Sequence, residues 1–229
     1  MKAAIIALRS EDIGPLLQSI HRHAPGLVPI HFPAITPDRV PALEHNYRVS
    51  WTYPDHGSAT LYGLKCHAYS GDKMKRRAIF WSHMLCWEFC AVRDEPIIVL
   101  ESDAVFTDPL RLQDLEGDYP YGMISLNDPR GATRRANAYH RAIQQIRETG
   151  GRETTVEVPS IDDLSVPQGL PGHSAYYLRP TFARELLANV SAIGAWPNDA
   201  LVNKQFFPGL LGCLTNYVTR VSGRKSNVA

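Results

Sequence analysis

The hydrophobic positions at the start of the chain change from a strand-like spacing to a helix-like spacing and back. Residues 3–8 form a short apolar run that is typical of a buried strand. In residues 11–23 the apolar side chains recur with a helical period, and Pro25-Gly26 ends this pattern before a second apolar run at residues 27–32. This strand–helix–strand opening favours an α/β domain in which a mostly parallel central sheet carries helices on its faces.

The remaining pattern predicts further helices and strands. Helices are expected over residues 58–69, 79–92, 134–147 and 180–188, and strands over residues 97–100, 121–126, 173–178 and 217–221. Residues 36–57 are rich in proline, histidine and aromatic side chains, and we expect them to form a loop region near the functional site. Residues 129–172 are polar and contain Gly150-Gly151, which predicts a long excursion that is either functional or mobile.

Length and composition limit the classes of protein that remain. The chain has 229 residues, 44% of them hydrophobic, and a formal net charge of +1. We expect a single domain over residues 1–229, with no overall charge bias toward nucleic acid or membranes. No apolar stretch has the length of a membrane span, and the apolar N-terminus is too short for a signal peptide. The spacing of the cysteines is not that of a zinc ribbon, so we expect reduced thiols in a cytoplasmic protein at Cys66, Cys86, Cys90 and Cys213.

An apolar strand that runs directly into acidic residues is the strongest chemical signal in the sequence. Residues 97–100 are Ile-Ile-Val-Leu, and Glu101-Ser102-Asp103 follow at once. Two carboxylates at the end of a buried strand are unfavourable unless a positive charge lies beside them, and Mg²⁺ and Mn²⁺ prefer carboxylate oxygens. Ligands also bind at the carboxyl ends of strands in open α/β sheets. The pattern predicts a metal-assisted site for a phosphate-bearing substrate; the alternative is that both acids only cap the next turn.

Three segments of the sequence carry a resemblance to a known family. They are Ser82-His83 with Trp87 on a helix, followed by residues 98–105; Gly172-His173-Ser174-Ala175-Tyr176 with the strand and helix that follow; and Pro197-Asn198-Asp199. In this order and spacing they resemble the core of glycosyltransferase family 25, which includes lipooligosaccharide sugar transferases and collagen galactosyltransferases. That family has a Ser-His helix, a strand ending in Leu-Glu-Asp-Asp-Val, a Gly-Thr-His-Ala-Tyr segment and a Pro-Val-Asp segment. The resemblance covers residues 77–205.

The chain departs from the family pattern at two places that bear on chemistry. Ser102 stands where the family has the middle acid of Glu-Asp-Asp, so one potential metal ligand is missing and an acid-x-Asp arrangement remains. Arg76-Arg77-Ala78-Ile79 replaces the family's Glu-Ile-Gly-Cys, which changes the charge ahead of the Ser-His helix. The resemblance is therefore to a divergent member.

The resemblance implies a GT-A, Rossmann-like fold and an inverting transfer of sugar from a nucleotide-sugar donor, expected to be a UDP-sugar. The acceptor is expected to be a hydroxyl group on a glycan, on a protein or, from the local basic charge alone, on a hydroxylated nucleobase in DNA. Residues 129–172 are expected to lie on the acceptor side. A bound Mn²⁺ or Mg²⁺ would neutralise the charge that develops on the leaving diphosphate. Asp103 is the expected metal ligand. Glu101 binds the metal through water or hydrogen-bonds the donor's ribose or sugar.

Three further residues receive a role from the same resemblance, each with a structural alternative. Asp199 is expected to be the base that takes the acceptor's proton, and its alternative is a helix N-cap. His83 either hydrogen-bonds the donor phosphate or a metal-binding carboxylate, or is a satisfied core histidine. His173 either contacts the sugar or the metal, or is a turn residue beside Gly172.

Clusters of basic residues could bind the donor or an anionic acceptor, so the sequence does not decide the chemical class of the acceptor. Arg77 belongs to a cluster ahead of the Ser-His helix, and its expected role is to bind the donor's diphosphate, for which arginine is suited. The other clusters are Arg130, Arg134, Arg135 and Arg141 in the excursion and Arg220, Arg224 and Lys225 near the C-terminus. The alternatives are a solvated surface or contact with an anionic acceptor such as a polynucleotide.

Two other functional classes remain open at this point. Loss of the middle acid is also consistent with a catalytically degenerate GT-A fold that binds a sugar nucleotide or a partner without transfer. A nucleotidyltransferase or phosphohydrolase would usually show a phosphate-cradling glycine loop or a richer carboxylate cluster, and the sequence has neither.

Overall fold

The computed structural model describes residues 1–133, 135–149 and 154–223, without the side chains of residues 11 and 12. In these ranges the strands are β1 (Lys2–Ala7), β2 (Val28–Pro33), β3 (Ser58–Leu61), β4 (Leu64–His67), β5 (Ile97–Glu101), β6 (Ala104–Phe106), β7 (Met123–Ser125), β8 (Thr155–Glu157), β9 (Ala175–Leu178), β10 (Leu211–Leu214) and β11 (Thr219–Val221). The helices are α1 (Gly14–His23), α2 (Val40–Tyr47), α3 (Lys73–Arg93), α4 (Gln113–Glu116), α5 (Ala136–Thr149), α6 (Pro180–Ile193) and α7 (Asn198–Leu201). Short 3-10 turns cover Ser10–Ile13 and Pro37–Arg39.

The central sheet has the strand order β2-β1-β5-β9-β7-β10-β8. β1 pairs in parallel with β2 and β5, and β7 pairs in parallel with β10. β9 is inserted antiparallel between β5 and β7, and β8 closes the edge antiparallel to β10. Every strand of this sheet except β8 and β9 therefore points the same way. The predicted fold class, an α/β architecture with a mostly parallel central sheet flanked by helices, is confirmed.

The sheet separates two hydrophobic cores, because successive side chains of a strand point to opposite faces. In β1, Ala4 and Ile6 lie in the core beneath α3 and α6, whereas Ile5 lies in the core that α1 covers. The side chains of β5 alternate between the same two cores, and the residues from Ile97 to Leu100 are fully buried. Both faces of β5 are thus covered by protein, and solvent reaches this strand only at its acidic end.

Helix α3 is longer than the pattern predicted. The Asp72 side chain accepts hydrogen bonds from the backbone amides of Met74 and Lys75, at 2.8 and 3.2 Å, so the helix begins six residues earlier than expected. It ends at Arg93, before Asp94 in the left-handed conformation with φ 53°. Because α3 packs on the sheet next to β5, it carries His83 to the acidic end of that strand.

Two predictions for residues 36–69 were wrong. Residues 58–69 form the β3–β4 hairpin, not a helix, because Tyr62 and Gly63 both have positive φ, 51° and 82°, as a two-residue hairpin turn requires. The alternation of buried Leu64 and Cys66 with exposed Lys65 and His67 is the strand period. Residues 36–57 are not only loop, since α2 begins with a proline in its first turn and covers Val40–Tyr47.

The long excursion contains α5, which confirms the predicted basic helix. Arg134 and the Gly150-Gly151 pair lie outside the described residues, as do Arg224 and Lys225. The short strands β8 and β10 were not predicted, although every residue of β10 is buried. The predicted strand 173–178 begins only at Ala175, and α6 continues to Ile193, beyond the predicted end at 188.

All four cysteines are free and buried. None of the helices in the described ranges combines the length and the apolar character that a membrane span requires.

Candidate active site

The acidic turn after β5 is held in place by backbone hydrogen bonds from two directions. The Glu101 amide donates to the Ser174 carbonyl at 2.7 Å, and the Ser222 amide donates to the Asp103 carbonyl at 2.8 Å. β6, which follows immediately, pairs with β11. Because the backbone on both sides is fixed, the two carboxylates are presented as a preformed pair at the carboxyl end of the strand.

The electrostatics of this pair are unfavourable in the absence of a cation. Burial, and then the charge of Glu101, raise the pKa of Asp103 to about 6. Asp103 Oδ1 is shielded from solvent and has no hydrogen-bond partner among the described residues. A shielded carboxylate oxygen without a donor, next to a second carboxylate, fits a divalent cation. Within residues 1–133, 135–149 and 154–223 no cluster of three or more His, Cys, Asp and Glu side chains forms, so such an ion would take its other ligands from substrate and water.

A buried chain of hydrogen bonds leads to Glu101 from below. Trp87 Nε1 donates to Tyr176 Oη at 2.9 Å, and Tyr176 Oη lies 2.8 Å from His83 Nδ1. His83 Nε2 lies 3.1 Å from Glu101 Oε1. The Tyr176 oxygen already accepts from Trp87, so its proton is available for His83 Nδ1, and His83 Nε2–H then donates to Glu101. His83 is 1% exposed, so it acts on the site through Glu101 and not by lining the cleft.

The acidic turn opens into a cleft of about 650 Å³. The residues of the predicted site that line it are Glu101, Asp103, His173 and Asp199. The excursion contributes a large part of the wall through residues 131–133, 135, 139, 161–162, 166–170 and 172. The cleft therefore brings together the strand end, the segment before β9 and helix α7, which are far apart in the sequence.

Asp199 lies in the first turn of α7, and its N-cap interpretation is wrong, because the N-cap residue of that helix is Pro197. The Asp199 side chain is exposed to the cleft and hydrogen-bonds Tyr69. Burial, followed by the charge of Asp199, raises the pKa of the Tyr69 phenol, so this group stays a hydrogen-bond donor. The Arg76 guanidinium lies over the Tyr69 ring, 4.1 Å from its centroid.

His173 lies two residues before β9, in an irregular segment. Its Nε2 atom is shielded from solvent and has no hydrogen-bond partner within the described part of the chain. Burial, and then the neighbouring His83, lower the pKa of His173 to about 3, so the ring is neutral at physiological pH. Gly172 beside it has φ +122°, and a Cβ there would come within 2.7 Å of Ala132. Glycine is thus required at position 172 by its positive φ and by the close approach of Ala132.

Arg77 is not brought to the cleft. Its guanidinium lies 2.9 Å from Asp55 Oδ2 and 3.6 Å from Glu44 Oε1, and it sits over the Trp51 ring. The arginine of this cluster that lines the cleft is its neighbour Arg76.

Among the residues to which the sequence assigned no role, the structure places Tyr69, Tyr176 and Asn198 in or beneath the site. Tyr176 had a usable signal, because a tyrosine in a fully buried strand needs a partner for its hydroxyl. Tyr69 and Asn198 had none, since their burial and contacts depend on segments distant in sequence.

Comparison with known proteins does not identify a family for this chain. No family model and no curated protein matches the sequence. Among solved structures, the chain is similar to the glycosyltransferase GlyE of Streptococcus pneumoniae TIGR4 (TM-score 0.41, 13% identity, 93% of this chain and 44% of that one). It is also similar to mouse xyloside xylosyltransferase 1 (0.39, 10%, 92% and 84%) and to galactosyltransferase LgtC with donor and acceptor sugar analogues (0.42, 10%, 92% and 72%).

The chain spans less than half of the length of GlyE. At these identities and TM-scores the likenesses carry no conclusion about activity, and membership of family 25 stays a prediction. We therefore base the functional proposal on the residues of the cleft.

Proposed function

We propose that this chain is a metal-dependent, inverting glycosyltransferase with a GT-A-like domain. It would transfer a sugar from a nucleotide-sugar donor to an acceptor hydroxyl. The observation that carries the proposal is the preformed pair of Glu101 and Asp103, whose electrostatics favour a cation, in a cleft that Asp199 also lines. The cleft volume of about 650 Å³ is that of a small-molecule site.

Asp103 and Glu101 are the residues that would hold the cation. A divalent ion bound there would neutralise the negative charge that develops on the leaving nucleoside diphosphate. Asp103 is the proposed direct ligand, because its shielded oxygen has no partner among the described residues. Glu101 is oriented by the His83 hydrogen bond and is proposed to bind a water ligand or a hydroxyl group of the donor.

Asp199 is the proposed base. In the inverting step the acceptor oxygen attacks the anomeric carbon, the bond from that carbon to the diphosphate breaks, and the acceptor's proton passes to a carboxylate. Asp199 is exposed in the cleft, and its hydrogen bond with Tyr69 would fix its orientation. Arg76, which lies over the Tyr69 ring and also lines the cleft, is proposed to contact the donor's diphosphate in place of Arg77.

The excursion is proposed to form the acceptor wall. Its residues Arg135, Tyr139 and Asp162 line the cleft, and Arg135 pairs with Asp162 at 2.8 Å. Tyr139 donates to the Gly169 carbonyl at 2.9 Å, which ties α5 to the segment that leads to His173. Because this wall carries a negative side chain, Asp162, as well as the positive Arg135, a neutral acceptor such as a glycan fits it better than a negatively charged polynucleotide.

The proposal is tested by incubating the protein with a panel of nucleotide sugars, with and without Mn²⁺. We expect one donor to be hydrolysed slowly in a Mn²⁺-dependent reaction, and to be consumed faster when an acceptor glycan is added. Inversion is read from the anomeric configuration of the product. Donor binding without hydrolysis or transfer would instead support the degenerate binding protein.

A further inference from the structure

Asn198 carries a buried side-chain amide that the fold does not use. The residue is 6% exposed and lines the cleft next to Asp199. Neither its amide oxygen nor its amide nitrogen has a hydrogen-bond partner within the described residues. Buried polar groups in proteins are almost always hydrogen-bonded, and an unpaired donor and acceptor on one side chain are unfavourable for stability. Such an amide indicates a ligand whose polar groups would supply the missing hydrogen bonds.

A second asparagine, Asn203, lies just beyond the opposite end of α7 and has a hydrogen-bonded side-chain amide. Asn203 is fully buried, donates to the Ala200 carbonyl at 2.7 Å and accepts from the Phe206 amide at 2.8 Å. Asn198 supports the helix through its backbone carbonyl, which accepts a hydrogen bond from the Val202 amide at 2.9 Å. An apolar side chain would serve equally well at position 198 if packing were its only role.

His173 Nε2, in the same cleft, also lacks a hydrogen-bond partner within the described residues. Gly169 shows that His173 and α7 are close together, because a Cβ at Gly169 would lie 3.5 Å from His173 Cε1 and 2.8 Å from the Asp199 carbonyl oxygen. Asn198 and His173 both line the cleft, so its wall offers an amide donor, an amide acceptor and an imidazole nitrogen. None of these groups is charged when the imidazole is neutral.

We propose that Asn198 and His173 form a subsite that hydrogen-bonds the hydroxyl groups of the transferred sugar and so distinguishes one sugar from another. Each sugar hydroxyl both donates and accepts, so neighbouring hydroxyls match an amide that offers one group of each kind. A phosphate or carboxylate would match only the amide N–H and would leave the amide oxygen unpaired. The inference rests on the proposed function, and it makes Asn198 a specificity-determining residue, separate from the metal-facing carboxylates.

The test is Asn198→Leu, a substitution of similar size that removes both polar atoms. The ligand-free variant should melt about 2–4 °C higher than wild type, because an unpaired buried amide is gone. In the presence of Mn²⁺ it should bind UDP-glucose or UDP-galactose, whichever wild type prefers, about tenfold more weakly, and UDP alone unchanged. Asn198→Ala should show the same selective loss of sugar-nucleotide affinity.

Asn203→Leu is the matched control, and it should melt at a lower temperature because it removes the hydrogen bonds of the Asn203 side chain with Ala200, Leu201 and Phe206. Equal affinity of wild type and Asn198→Leu for the sugar nucleotide, or a lower melting temperature of Asn198→Leu, would overturn the subsite while leaving the proposed function intact. If wild type binds UDP with Mn²⁺ but does not distinguish any UDP-sugar from UDP, the subsite is overturned. If wild type binds no nucleotide sugar of the panel and no nucleoside diphosphate in the presence of Mn²⁺, the proposed function fails as well.

Discussion

His83 Nε2 lies 3.1 Å from Glu101 Oε1, which joins a buried helix to the carboxylate at the mouth of the cleft. The contact gives the histidine a role beyond packing, although it is 1% exposed. Behind it, Tyr176 Oη lies 2.8 Å from His83 Nδ1 and accepts a hydrogen bond from Trp87 Nε1 at 2.9 Å. Glu101 is therefore oriented by three side chains that themselves never face the cleft.

Removing the Tyr176 hydroxyl should change the orientation of the Glu101 carboxylate indirectly, because Tyr176 contacts His83 and His83 contacts Glu101. In Tyr176→Phe, Trp87 Nε1–H loses its acceptor and His83 Nδ1 its donor, so we expect a loss of about 1–3 kcal/mol in the free energy of unfolding. His83 is then free to change tautomer, and Mn²⁺ affinity should fall. Urea unfolding and Mn²⁺ titration measure the two effects. Tyr177→Phe, on the opposite face of the same strand, should leave Mn²⁺ affinity unchanged; an equal loss there would contradict the account.

Asp103→Asn should abolish Mn²⁺-dependent turnover and stabilise the metal-free protein. The folded-state pKa of about 6 lies above the unfolded value of 3.8, so the stability contributed by protonated Asp103 is complete below pH 3.8 and is lost as pH rises through about 6. At pH 7 the asparagine variant should gain about 1–3 kcal/mol, reduced by partial solvent exposure. Thermal melts at pH 7 check this. Asp108→Asn, an exposed acid nearby, should change neither property.

Asp199→Asn should separate donor binding from transfer. If Asp199 takes the acceptor's proton, kcat should fall by about 10²–10⁴-fold while donor affinity stays close to wild type. Tyr69→Phe removes only the hydrogen bond to Asp199 and should reduce kcat less. Steady-state kinetics with donor affinity measured in parallel would decide this, and an unchanged kcat in Asp199→Asn would remove the residue from the mechanism.

His173 should make the protein sensitive to mild acid. Its folded-state pKa of about 3 lies below the unfolded value of 6.5, so the unfolded chain binds more protons between these values and stability falls as pH decreases. Between pH 7 and pH 5 this contributes a loss of up to about 2 kcal/mol. His173→Gln should lose less stability over the same interval, as measured by unfolding at both pH values. A wild-type and variant loss of equal size would show that the ring is protonated in the folded state.

The acidic turn could be predicted because its signal is local: four apolar residues followed by two acids define the end of a buried strand. A hydrogen bond from His83 to one of these acids was among the alternatives that the sequence offered, and the structure has it to Glu101. The support of His83 by Tyr176 could not be predicted, because Tyr176 lies 93 residues from His83 along the chain. The hairpin turn was missed because Tyr62 adopts positive φ, which is uncommon outside glycine. Arg77 and Arg76 could not be distinguished from the sequence, since only the packing of Asp55 and Glu44 draws Arg77 away from the cleft.

The most direct test of the central claim is a calorimetric titration of wild type and Asp103→Asn with UDP-sugars, with and without Mn²⁺. The account predicts that wild type binds one donor only when Mn²⁺ is present, and that Asp103→Asn, although folded and at least as stable, binds it no better with Mn²⁺ than without. Equal, Mn²⁺-independent donor binding by both proteins would contradict a metal site at Glu101 and Asp103.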